Sequence, residues 1–156
     1  MAVLEELERM SEERFLAIYE SLAQQGFGPL DAEVAKELRF RPKAIRKLPM
    51  AKRARRARGQ LLANRNSEMA YELFGSYLVR NHKDLVTGFL DATGVEHEDG
   101  MIADIEQGKP EAAKVGPAID QLDGQFERDD VTLYLALSAE HWPDVDPIIA
   151  AWRARS

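Results

Sequence analysis

Cysteine is absent from the 156 residues. Disulfides, thiolate nucleophiles and cysteine-ligated zinc are therefore excluded, which suits a reducing compartment. Long apolar runs are missing too: nothing approaches the roughly 18 residues that a membrane-spanning helix needs. The opening MAVLEELERMSEER carries acids where a signal peptide has a basic start and then an apolar stretch. Together these features lead us to expect a cytoplasmic protein with no membrane association.

The signatures of common chemistries are also lacking. There is no Gly-x-Ser-x-Gly, and Ser11, Ser21, Ser67, Ser76 and Ser138 fall on predicted helices or caps. Gly26-Phe27-Gly28 has neither the third glycine nor the preceding strand of a dinucleotide-binding turn, and no lysine follows in Walker spacing. The three histidines form no His-Glu-x-x-His and no Glu-x-x-His pattern. One local cluster of candidate ligands exists, His97, Glu98 and Asp99 in Glu96-His97-Glu98-Asp99-Gly100, with Asp104 nearby. Such nitrogen and oxygen donors suit a transition metal or Mg²⁺. The same composition, directly after a helix end and closed by glycine, is that of a solvated acidic loop, which is the preferred reading. No cofactor is expected.

What the chain does contain is charge, sorted by sign. Charged residues make up 31% and apolar residues 45%, the latter enough for a folded domain. From Lys36 to Arg65 there are twelve Lys and Arg against Glu37 alone, a net of +11 in thirty positions. The whole chain sums to −6, so the other 126 residues carry −17. The counterweight is concentrated at Glu96–Asp130, with eleven acids against Lys109, Lys114 and Arg128.

Periodicity predicts helices throughout. Leu4, Leu7, Phe15, Leu16, Ile18, Tyr19 and Leu22 recur at spacings of three and four, with Ser11 as a candidate cap that would divide one helix into two. Gly26, Gly28 and Pro29 end that stretch, and Asp31 begins a helix to about Phe40. Pro42 and Pro49 bracket a short turn. From Met50, a narrow stripe of Met50, Ala54, Ala57 and Leu61 leaves Lys52, Arg53, Arg55, Arg56 and Arg58 to fan around the remainder, with a bend allowed at Gly59. Asn64, Asn66 and Ser67 offer caps for a separate helix over Glu68–Arg80. Another follows at Lys83–Thr93, ended by Gly94 with Val95 behind it. These last two helices, through Leu73, Phe74, Tyr77, Leu78, Phe89 and Leu90, are the expected hydrophobic centre. Short helices are expected at Met101–Gln107 and Pro117–Gln125. Val131–Ala139 alternates like a strand but has no partner strand and reads as helix; a last helix starts at Asp146-Pro147. The sum is an all-α, single-domain bundle of about seven to nine helices spanning residues 1–156.

Three functions stay open. The preferred one is a non-catalytic interaction or adaptor module, in which Arg46, Lys47, Lys52, Arg53, Arg55, Arg56 and Arg58 engage an acidic protein surface or a second copy of the chain. The same cations would alternatively hold phosphates in sequence-tolerant nucleic-acid binding, since nothing beside them reads bases. The third is an enzyme whose site is assembled only by folding, with a metal at the His97 loop as one form of it. The aromatics fall at core spacing and are expected to pack, not to stack on bases.

Overall fold

The structure is a computed structural model that describes residues 2–26, 47–102 and 108–155. It is all-α: eight helices and one very small hairpin make up the described residues. The chain divides into two compact units, Val3–Tyr77 and Leu78–Ser156. The expected helix at Asp31–Phe40, and the part of the Pro42–Pro49 turn before Lys47, lie outside the described residues.

In the first unit α1 (Ala2–Arg9) and α2 (Glu12–Gln24) are separate helices. Ser11 divides them: its hydroxyl oxygen accepts from the Arg14 N–H at 3.1 Å and satisfies one of the free donors at the start of α2. Gly26 follows α2 with φ 82°, a backbone state that glycine adopts without steric cost. The cationic helix α3 (Met50–Ala63) is continuous through Gly59. It ends where Arg65 turns left-handed at φ 48° and the Asn66 side chain accepts from the Met69 N–H at 3.1 Å. The expected break between α3 and α4 (Ser67–Asn81) is therefore present. Helix α2 packs on α3, and Phe15 of α2 meets Phe74 of α4 edge to face at 6.4 Å.

The second unit opens with the end of α4 and continues into α5 (Lys83–Thr93). Gly94 caps α5 in the left-handed region at φ 80°, and the Val95 N–H donates to the Leu90 carbonyl at 2.9 Å, closing the expected glycine-plus-apolar ending. The helix expected from Met101 does not begin there. Met101 and Ile102 form strand β2, paired antiparallel with β1 (His97–Glu98) in the register His97 to Ile102 and Glu98 to Met101. Asp99 and Gly100 are the two residues between them, at φ 52° and 89°. That is the Asp-Gly hairpin turn, whose twist matches paired strands and opposes a helix starting at Met101.

Helix α6 (Ala112–Gln125) also departs from expectation, since it starts five residues before Pro117 and carries the proline in its interior. Pro117 removes one backbone donor, and its exposed position leaves the ring in solvent. Val115, Ala118, Ile119 and Leu122 hold the other face of α6 in the core. Helix α7 (Arg128–His141) confirms Val131–Ala139 as helix, and residues 130–139 are buried without exception. A helix buried on every side shows no apolar stripe, which is why its periodicity was ambiguous in the sequence. Helix α8 (Asp146–Arg153) starts at Asp146-Pro147 as expected and packs on α7. Phe89 of α5 meets Tyr134 of α7 edge to face at 5.2 Å.

Leu73, Phe74, Leu78, Phe89 and Leu90 are buried as expected. Yet the most completely enclosed element is α7. Trp142 and Trp152 are core residues as well, and the Trp142 indole N–H donates to the Gly108 carbonyl at 2.9 Å.

Candidate interaction surface

Helix α3 contains five cations and no acid. Alanines at 54 and 57 and Leu61 bury one side of it against the rest of the first unit. The cations then separate into two groups by their angular position around the helix axis.

Arg53 and Arg58 turn inward, contrary to the outward fan expected of them. Arg53 is only 8% exposed, with its guanidinium carbon 5.7 Å from the centre of the Tyr19 ring. This is cation–π distance, where a planar, weakly hydrated guanidinium tolerates burial better than an ammonium would. Arg58 is half-buried. Its Nη2 donates to the carbonyls of Leu7, Glu8 and Met10 at 3.1, 3.2 and 3.0 Å. Those are acceptors at the end of α1, where the helix has no further N–H to offer and its dipole is negative. Arg58 is thus an α1 cap supplied from a distant part of the sequence. Narrow spacing of small residues could not reveal this, because the stripe of alanines says where the helix packs but not which long side chains bend back beside it.

Lys52, Arg55 and Arg56 point to solvent at spacings of three and four, on one face of the first two turns of α3. Among the described residues none of these three makes an ion pair. Lys47, just before the helix, is exposed as well. Arg46 lies outside the described residues. The structure therefore leaves four of the seven candidate cations exposed, three of them on one face of α3, and assigns two others to the fold.

Beside this face runs a groove of about 330 Å³ between α2 and α3. Phe15 and Leu16 line it from α2, and Ala51, Ala54 and Gly59 line it from α3. Glu12 and Glu13 edge it on the α2 side, Arg55 and Arg58 on the α3 side. The groove was not foreseen. Its one sequence signal is the small side chains at Ala51 and Gly59, outside the apolar stripe of α3.

The other candidate ligand set is organised by local structure. The His97 Nδ1 accepts from the Gly100 N–H at 3.0 Å, so the ring hydrogen of the neutral tautomer sits on Nε2, which donates to the Asp91 carboxylate at 2.6 Å. Asp99 faces Lys83 at 3.5 Å, and Glu98 is an exposed strand residue. Both nitrogens of His97 are thus engaged in holding the hairpin against α5. No group of three or more potential ligands gathers to hold a metal among the described residues. No described helix is long and apolar enough to cross a membrane.

No protein-family model, no curated protein and no solved structure matches the chain.

Proposed function

We propose that the chain is a non-catalytic interaction module and that the exposed face of α3, with Lys52, Arg55 and Arg56, docks an acidic surface of a partner protein. The observation that carries this is the lack of any carboxylate on those three cations, in a chain with a net charge of −6. Acids are abundant, so a fold that used these cations for internal neutralisation would place some of them in reach. Exposed pairs are worth only about 0–1 kcal/mol each to stability, so the fold loses little by leaving them open. What three like charges on one helical face supply is steering: they raise the encounter rate with an acidic partner and set its orientation.

A phosphate backbone is the less suitable target. Lys52, Arg55 and Arg56 by themselves would contribute about −2.7 to the salt slope, and the chain as a whole is acidic, with a net charge of −6. The test is binding of a glutamate-rich peptide and of duplex DNA as a function of salt. The proposal expects peptide binding that weakens with salt and is lost when Lys52, Arg55 and Arg56 are all changed to Gln. Binding of DNA but not of the peptide would replace the proposal with the nucleic-acid reading, and binding of neither would remove both.

A further inference from the structure

We infer that the groove between α2 and α3 seats an apolar side chain of that same partner. The occupant would be a short amphipathic segment whose leucine- or methionine-sized anchor has carboxylates on one flank and a base on the other. This rests on the proposed docking of an acidic partner and adds to it the chemistry of the segment that docks.

Three features of the groove lead there. Its volume, about 330 Å³, lies at the lower end of the range of about 300–1,000 Å³ typical of ligand sites. Its floor is apolar, from Phe15 and Leu16 on one helix to Ala51 and Ala54 on the other. At Gly59 the backbone of α3 is bare: a Cβ built there meets no atom within 4 Å. An apolar depression of this kind gains free energy when a side chain displaces its water, whereas the charges around it contribute mainly direction.

The rim carries both signs. Glu12 and Glu13 stand on the α2 side and Arg55 on the α3 side, contiguous with Lys52 and Arg56; Arg58 is already committed to the end of α1. A uniformly acidic tract lying across the groove would meet repulsion from the two glutamates. A segment that turns its acids to α3 and a lysine or arginine to α2 meets opposite charge on both sides. That arrangement fixes which way round the segment lies, which apolar contact alone does not.

The experiment uses the full chain and fluorescein-labelled helical peptides containing three glutamates, one lysine and a single leucine, each compared with its leucine-to-serine counterpart. The anchor is expected to tighten binding about tenfold or more, as burial of a leucine side chain implies. Filling the groove by Gly59→Leu, or independently by Ala51→Leu, is expected to abolish that difference and leave the serine peptides within about twofold of their original affinity, the margin expected of an unaltered exposed charge contact. Thermal melts establish that the variants fold, and either variant suffices. Equal affinity of leucine and serine peptides for the unaltered chain overturns the groove assignment while sparing the charged face. No binding of either peptide overturns the docking proposal and this inference with it. Concentration-dependent dimerisation that Gly59→Leu abolishes would put a second copy in the groove and overturn it as well.

Discussion

Replacing Arg155 with Met is expected to lower stability at neutral pH by about 2 kcal/mol, through loss of one buried clamp. The Arg155 side chain is 6% exposed. Its Nη1 and Nη2 donate to the two oxygens of Asp123 at 2.8 and 2.7 Å, its Nε donates to the Thr132 hydroxyl at 2.7 Å, and Nη2 also reaches the Arg128 carbonyl at 3.2 Å. One guanidinium thereby joins the segment after α8 to α6 and to the N-terminal end of α7. Hydrogen bonds to charged groups contribute about 1.5–3 kcal/mol, and removing one partner of a fully buried pair costs about 3–5 kcal/mol. Asp123 keeps access to water, which rehydrates it in the variant and places the loss at the lower end. For a chain of this length that is a fall in Tm of roughly 4–8 °C.

The same clamp has a pH signature. Asp123 titrates below the usual carboxylate range, chiefly because Arg155 hydrogen-bonds its charged form, with desolvation opposing. Between the folded and unfolded values the unfolded chain binds the extra proton, so stability present above about pH 4 is lost as pH falls through the folded value. Urea denaturation followed by circular dichroism at pH 7 and at steps below pH 4 measures both effects. The gap between parent and variant should close on acidification. A variant within about 0.5 kcal/mol of the parent at pH 7, as for an ordinary surface substitution, refutes the clamp.

Other outcomes follow from individual contacts. Arg58→Ala should cost about 1–3 kcal/mol, by stranding the carbonyls at the end of α1, and should speed amide exchange in α1 before other helices; unchanged exchange there contradicts the capping role. His141 titrates below its ordinary value because burial disfavours the imidazolium, so the unfolded state takes up the proton first and stability should decline as pH drops below about 6.5. His141→Gln should flatten the profile between pH 7 and 5, and a parent already flat there would refute the assignment. Two glycines should respond in opposite directions in thermal melts. Gly59→Ala, mid-helix and unobstructed, should stabilise by up to about 1 kcal/mol. Gly94→Ala should destabilise by about 1 kcal/mol or more, since φ is 80° and its Cβ would lie 2.9 Å from Glu111 Oε1.

Local signals carried most of the fold. Ser11, Asn66, Gly94 and Asp146-Pro147 each act within a few residues, and each starts, divides or ends a helix where its chemistry requires. Failures came where the deciding partner is distant or the signal was outweighed. The Asp99-Gly100 turn outranked a weak helical pattern at Met101, and packing of Val115 and Ile119 carried α6 through Pro117. Enclosure on all sides erased the periodicity of α7. The cationic face was legible as a charge excess, but its division was not: Arg53 and Arg58 are drawn inward by Tyr19 and by the carbonyls of α1, which lie 34 and 48–51 positions away. The groove likewise needs α2 and α3 side by side before it exists.

The most direct measurement is the affinity of a glutamate-rich peptide for the Lys52→Gln, Arg55→Gln, Arg56→Gln variant, taken beside that variant's urea denaturation curve. Removal of three exposed, unpaired cations should leave stability within about 1 kcal/mol of the parent, while binding and its salt dependence disappear. A variant that unfolds readily, or that binds the peptide as the parent does, would show that these charges serve the fold or serve nothing, and would contradict a docking role for α3.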